Sequence, residues 1–481
     1  MSSLSQMSRA LMLAGLQIGA YSLPCRAASF SAATNLNDET IRMIPAVPQP
    51  AAGQWYTDPA FGTKIYRLTD SSNADSSTVP YAYWPIWSKD GDMLWVCRFA
   101  GGNLGSCIKM LWDWAKDAAT NMRNLQSGGT DLNPEGLIWS RVTNNKLWGC
   151  SSGDLNLYSL AAEGASVPEV NLTSRIRTGP DFGPATPSAT GFWQMSMDGA
   201  DRYFAWTLLP VSLNRFAVYD RTLNLLYVRD YSARGLDEVH LTRDGAYLVI
   251  TPLTGVNRGL LWDFASNPTS PYNDKDFTVT IAHEDFGPNT HLVAANAPEV
   301  SGHYAVWDLR NFANGTKTAD QASAFICNIK HQTATAAWPS GHWSWQNLSD
   351  ADAPPQPAYF SFYVGSDQTG AWRPFFDEIW KVWTDGSTPR GTYGKYRRLA
   401  HHRTRTWGNS NSYRSAPKGS VSPTGRYFAW SSNWENAATI GGQPRVDVYI
   451  LKIPTEAEFA AGNYGGSDSI APAAPKNLRS Q

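Results

Sequence analysis

The sequence predicts an all-β fold, a seven-bladed β-propeller, and three observations carry that reading. A turn followed by an apolar strand recurs as Ser88-Lys-Asp-Gly-Asp-Met-Leu-Trp-Val96, Met197-Asp-Gly-Ala-Asp-Arg-Tyr-Phe-Ala-Trp206, Thr242-Arg-Asp-Gly-Ala-Tyr-Leu-Val-Ile250 and Ser422-Pro-Thr-Gly-Arg-Tyr-Phe-Ala-Trp430, with degenerate copies at Asn144–Gly149 and Ser301–Trp307. Gly or Asp in such a turn tolerates positive φ before the chain re-enters a strand. The copies recur at about 45 to 60 residues, the length of a four-stranded blade with insertions. Helical periodicity is nearly absent, with short helices expected only at Asp113–Asn121 and Thr455–Ala461.

Taken in order, residues 1–29 read as a signal peptide. Arg9 supplies the positive start, Ala10–Leu23 the short apolar stretch, and Ala27–Ser31 the small residues for cleavage. Residues 30–54 form a Pro- and Ala-rich leader. The propeller occupies 55–454, opening on Lys64–Leu68, which alternates apolar and polar as a half-buried strand does. The copies are commonly followed by a second strand, ending in Asn156–Tyr158, Phe216–Tyr219, Leu260–Trp262 or Val446–Ile450. The stretch His331–Asp385 lacks the turn and reads as one blade with an enlarged loop, its strand at Phe375–Val382. Residues 455–481 read as a C-terminal linker, and Asp468–Ser480 resembles the opening of a fibronectin type III module.

Composition narrows the function. The 481 residues carry a net charge of -1 and are 17% charged, so the basic excess of a nucleic-acid binder is absent. No second apolar run is long enough to span a membrane. Aromatics reach 12%, with 21 Trp; bulky sheet packing takes most of them, and the surplus suits stacking on sugars. Five cysteines become four once a signal is removed, and Cys97 and Cys107 flank a turn-rich segment that places them across a hairpin. Cys150 and Cys327 read as buried thiols. The expected protein is exported, secreted or periplasmic, and monomeric.

Chemistry-bearing residues cluster late in the chain. Seven of the eight histidines fall within residues 283–402. The densest set is His401-His402-Arg403 followed by Arg405, Tyr413 and Arg414. His342 sits in Ser340-Gly-His-Trp-Ser-Trp-Gln346, and His291 closes His283-Glu-Asp-Phe-Gly-Pro-Asn-Thr-His291. His240, His303 and His331 read as structural histidines.

Asp58-Pro-Ala-Phe-Gly-Thr63 with Arg67-Leu-Thr69, Gly341-His-Trp-Ser-Trp345, Ala400-His-His-Arg-Thr404 and Val421–Trp434 together resemble secreted propeller polysaccharide lyases. The ulvan lyases are the nearer likeness and the oligogalacturonate lyases the more distant, over most of residues 55–452. The resemblance implies cleavage of a uronate-containing anionic polysaccharide by β-elimination. That reaction needs a cation to neutralise the carboxylate, a base for the C5 proton and an acid for the leaving oxygen. Arg403, Arg405 and Arg414 suit the first task. His342, His402 and Tyr413, with Arg403, form the expected catalytic set. Arg405, Arg414, Trp343, Trp345 and His291 are the expected substrate contacts. His401 and Gln346, beside His342 and His402, offer nitrogen and oxygen ligands to a zinc, manganese or calcium ion. The acidic pairs Asp237-Glu238, Glu284-Asp285 and Asp377-Glu378 could instead serve a glycosidase. A non-catalytic propeller that binds a glycan or protein, as a scaffold for attached modules, is the alternative.

Overall fold

The computed structural model describes residues 44–71, 75–100, 107–232, 235–251, 260–264, 274–276, 282–288, 290–297, 303–311, 325–329, 340–347, 357–363, 377–384, 395–404, 415–435, 439–440 and 443–462, with 36, 38, 40 and 42 ahead of them. These residues form a β-propeller of antiparallel sheets. The innermost strands, in chain order, are Asp75–Thr78, Ile138–Trp139, Gly191–Met197, Glu238–Leu241, Ala282–Phe286, Ser340–Ser344 and Gly419–Val421. Each of the first six opens a four-stranded sheet in which successive strands pair in sequence order. We number these sheets one to six.

The seventh sheet closes the ring. Its inner strands Gly419–Val421, Tyr427–Ser432 and Asp447–Lys452 come from the C-terminal part of the chain, and Lys64–Arg67 and Trp55–Thr57 from the N-terminal part complete it. Asp447 fastens this seam. Its carboxylate accepts hydrogen bonds from Arg67 Nη2 (2.8 Å), Thr69 Oγ1 (3.0 Å), the Ser71 backbone N–H (2.7 Å) and Gln49 Nε2 (3.1 Å). The arrangement pairs a buried charge and satisfies its lone pairs, the condition for tolerating it inside the fold.

The recurring turn has one chemical design. Ser88, Thr242 and Ser422 accept, through their hydroxyls, the backbone N–H five residues on, at Met93, Tyr247 and Tyr427 (3.0, 3.0 and 3.1 Å). Asp198 does the same with a carboxylate oxygen for Tyr203 (3.0 Å). Gly91, Gly245 and Gly425 take φ of 72, 68 and 69°, which a side chain would strain. At Asp198, Thr242 and Ser422 the turn reverses the chain at the end of an innermost strand and starts the next one, and at Ser88 it starts the second strand after a connecting segment.

Aromatic surplus becomes packing. Trp95, Trp148, Trp206, Trp262, Trp307, Trp380 and Trp430 supply one buried indole to each sheet in turn. Stacks such as Phe192–Trp206 (4.5 Å) fill the wedge between neighbouring sheets. One expectation fails locally: Asp113–Asn121 is not a helix but the hairpin of Ile108–Ala115 and Ala118–Asn124, because Lys116 and Asp117 both take positive φ, as a two-residue hairpin turn requires. The second expected helix is present as Glu456–Ala461, capped by Thr455, which accepts from the Glu458 N–H while Glu458 reaches back. Cys97 and Cys107 are disulfide-bonded and Cys150 is a buried free thiol that donates to the Trp193 carbonyl. The side chain of Cys327, the signal segment 1–29 and the tail 463–481 lie outside the described residues.

Removing the Asp447 carboxylate deprives the buried Arg67 guanidinium and three further donors, from Thr69, Ser71 and Gln49, of an acceptor. Asp447→Ala should therefore lower unfolding free energy by about 3–5 kcal/mol, read from the urea midpoint, while Arg445→Ala, an exposed neighbour, changes it little.

Candidate active site

Residues two and four positions before the turn hydroxyl share one face of the innermost strand, because strand side chains alternate. In sheet four these are His240 and Glu238, and in the seventh sheet Ser420 and Lys418. Their partners come from a connecting segment. After Asp75–Thr78 the chain runs through Tyr81, Tyr83 and Trp84 before the next strand begins at Met93. This segment reaches five sheets. The Trp84 indole N–H donates to the Met195 carbonyl of sheet three (2.8 Å). The Tyr83 ring meets His240 of sheet four (4.6 Å), and its hydroxyl donates to Glu284 Oε2 of sheet five (3.4 Å). The Tyr81 ring meets His342 of sheet six edge-on (5.0 Å), and Lys418 Nζ of the seventh sheet lies 5.7 Å from it. Tyr81 and Tyr83 touch each other at 4.7 Å. One constellation thus forms at the start of the inner strands: Tyr81, Tyr83, Glu238, His240, Glu284, His342 and Lys418.

Within it, Glu238, His240 and Glu284 present ligand atoms that all lie within 4.8 Å of one another. His240 Nε2 is 3.4 Å from Glu238 Oε1. Both His240 Nε2 and Glu284 Oε1 are shielded from solvent and make no hydrogen bond. Burial raises the Glu284 carboxyl, the neighbouring Glu238 charge adds to the effect, and His240 opposes it. Burial would lower the His240 imidazole, but Glu238, Glu284 and Asp285 outweigh it and raise it. Two carboxylates and an imidazole with unmet atoms fit a divalent cation, and the oxygen-rich set suits manganese, calcium or zinc. Tyr83 is raised well above a normal phenol by burial and by Glu284, so it keeps its proton through neutral pH.

The sequence-selected residues are distributed differently. His342 belongs to the constellation. His401 ends the outermost strand of the same sheet, Tyr396–His401, and His402 and Arg403 follow it. His342, Ser361, Ile379 and Ala400 lie in one row across four strands, which sets His342 about 14 Å from that edge. Convergence of His342 with His402 and Arg403 is therefore not what the strands allow.

His401 to Arg403 are buried between sheet six, the seventh sheet and the leader. His401 Nε2 lies 3.1 Å from the Arg42 carbonyl, its Nδ1 is 3.7 Å from Asp58 Oδ2, and its ring packs on Phe61 (4.9 Å). His402 Nδ1 accepts the Thr404 N–H (3.0 Å). Arg403 donates to the Tyr56 hydroxyl and Glu435 Oε1 (both 3.1 Å) and lies over Trp434. These partners make His401 part of a protein-filled network and not a metal ligand. The same holds for Gln346, whose Nε2 donates to both Asp285 oxygens (2.7 and 2.8 Å) and whose Oε1 accepts from Arg141 (2.5 Å). Trp343 packs on Phe360 and Trp345 lies against Gly287, both fully buried, so neither offers a face to a sugar. Arg405, Tyr413 and Arg414 lie outside the described residues, as does the side chain of His291.

Sequence reading passed over His240, Tyr81, Tyr83 and Lys418, and weighed Glu238 and Glu284 only as glycosidase acids. The signal available was position: Glu238 and His240 stand four and two residues before Thr242 of the turn. Trp193 was also missed. It is 37% exposed, turned outward by a register shift between Phe192 and Met195 at the same end of sheet three.

No family model matches the chain, and no curated protein matches it in sequence. Among solved structures, an oligogalacturonate lyase in complex with manganese is similar at 15% identity and a TM-score of 0.50, over 89% of this chain and 99% of that one. The oligogalacturonate lyase of Vibrio parahaemolyticus is similar at 14% identity and a TM-score of 0.52, over 89% and 100%. Likeness at this identity establishes the β-propeller architecture.

The buried His401–Asp58 pair yields a pH signature. Asp58 is held below its ordinary 3.8 because, against burial, it accepts from His401; His401 is held above 6.5 because, against burial, Asp58 and Glu378 favour its proton. The aspartate's contribution is complete above 3.8 and fades as pH falls through its lowered value. The histidine's is complete below 6.5 and fades as pH rises through its raised value. The melting temperature should fall as pH climbs above 6.5, and Asp58→Asn should flatten that slope.

Proposed function

We propose that the protein is an exported polysaccharide lyase that cleaves a uronate-containing glycan by β-elimination at the end of the channel where Tyr81 and Tyr83 meet Glu238, His240, Glu284 and His342. That convergence is the observation on which the reading rests. The shared architecture with oligogalacturonate lyases, one of them described with manganese, supports it. The short apolar stretch Ala10–Leu23 and the Cys97–Cys107 disulfide support export.

Glu238, His240 and Glu284 would hold a divalent cation, which when bound neutralises the uronate carboxylate and makes the C5 proton more acidic. Lys418, on the seventh sheet, adds positive charge beside Tyr81. His342 is placed to take the C5 proton. The electrons of that C–H bond form the C4–C5 double bond as the C4–O bond breaks. Tyr83 keeps its proton and suits donation to the departing glycosidic oxygen. Trp193 offers an indole face to a neighbouring sugar. Ulvan and oligogalacturonate are the two substrates to test first.

The assay is ultraviolet absorbance of the unsaturated uronate on a panel of uronate glycans. We expect turnover with at least one glycan, lost on chelation and restored by manganese, calcium or zinc. His342→Ala and Tyr83→Phe should each lower kcat/KM by about 10²–10⁴-fold with the melting temperature nearly unchanged. Binding without unsaturated product on every glycan would assign the protein to the scaffold class instead.

A further inference from the structure

The opposite end of the channel, beyond the inner strands, carries a second constellation with no part in this chemistry. Arg141 follows the inner strand of sheet two, and Arg243 lies in the turn after the inner strand of sheet four. Both reach the residues that follow the inner strand of sheet six. Arg141 Nη2 donates to Gln346 Oε1 (2.5 Å), and Arg243 Nη1 donates to the Asn347 carbonyl (3.0 Å). Arg243 lies three residues beyond His240, in the turn that ends its strand, so the two ends are separated by about 10 Å.

Like charges have been brought together here. The nearby carboxylates are already occupied: Asp285 accepts from Gln346, the Trp345 N–H and the Phe286 N–H, Asp201 from Ser140, Trp148 and the Arg141 N–H, and Asp198 from the Arg202 and Tyr203 N–H groups. Among the described residues neither guanidinium forms an ion pair. Burial, and then repulsion from Arg141, pull the Arg243 guanidinium well below its usual range. Arg243 Nε and Nη2 are both shielded from solvent and make no hydrogen bond, nor does Arg141 Nε. Nε and Nη2 form one edge of the guanidinium, the fork that grips a carboxylate with two parallel hydrogen bonds. Asn347 Oδ1, buried nearby, also makes none. Both arginines retain partial solvent exposure, although the Nε–Nη2 edge of Arg243 is itself shielded. A buried donor left unmet costs stability, and here two adjacent ones on a cation point to a ligand.

We propose that this end of the channel is an oxyanion site, in which the Nε–Nη2 edge of Arg243 takes a carboxylate side-on and Arg141 supplies the second positive charge. The ligand class is a small carboxylate of the kind an acidic monosaccharide carries. The site is independent of the reaction assigned to the other end, and its test needs no turnover.

The test uses the full chain, titrated with sodium glucuronate, acetate or phosphate against sodium chloride at equal ionic strength. Melting temperature and calorimetric binding are followed for the unaltered protein, Arg243→Lys and Arg243→Gln. We expect saturable binding of glucuronate and acetate with a rise in melting temperature, weakened at least about tenfold in both variants. Lys keeps the charge without the fork, so its loss of binding isolates the geometry. Should both variants melt early, Arg141→Lys provides the second arm, with affinity expected to fall. Equal binding in all proteins, a rise that does not saturate, or no binding overturns the site. Phosphate binding more tightly than either carboxylate overturns the ligand class.

Discussion

The ring depends on one buried carboxylate. Asp447 lies on the last long strand and gathers donors from Arg67, Thr69, Ser71 and Gln49, nearly four hundred positions away in sequence. The N- and C-terminal parts of the chain meet inside the seventh sheet by strand pairing of Lys64–Arg67 with Asp447–Lys452, and an apolar cluster with Leu94, Val96, Tyr66, Val448 and Ile450 packs that sheet on the first. Pairing alone tolerates slippage by a residue, and a slip would turn every side chain to the wrong face. A charge that finds its partners in one register only removes that freedom. The same logic recurs at small scale in Asp198, Thr242 and Ser422, each fixing where an inner strand stops.

The fold was legible because its repeating device is local. A hydroxyl or carboxylate, a residue of positive φ and an apolar run within nine positions leave a visible trace, and the trace recurs at blade spacing. Short-range chemistry fails where two turns look alike: Lys116 and Asp117 carry a hairpin that helical spacing at Asp113–Asn121 disguises.

The site was legible only in part. His342 was found from its setting between a glycine and tryptophans, and Glu238 and Glu284 were seen as acids. The densest run, His401-His402-Arg403, drew attention because charge usually marks function. In the fold it is a buried network in which Asp58 and Glu378 meet His401, Asp377 meets His402 and Glu435 meets Arg403. Burial obliges polar groups to be paired, and pairing concentrates charge as effectively as catalysis does. Tyr81 and Tyr83 left no trace, since a segment crossing between strands has no period. Their role depends on contacts made across the ring, which no window of sequence contains.

Those contacts also set when the site comes into being. Tyr83 and Glu284 are 201 positions apart, and Thr78 meets Ser431 across 353. Loop closure of that length is among the last events of folding in a chain rich in distant pairings. During synthesis the two tyrosines emerge early and wait for strands made much later. The constellation therefore has no precursor in any fragment of the chain; it comes into existence with the closed ring and is lost with it.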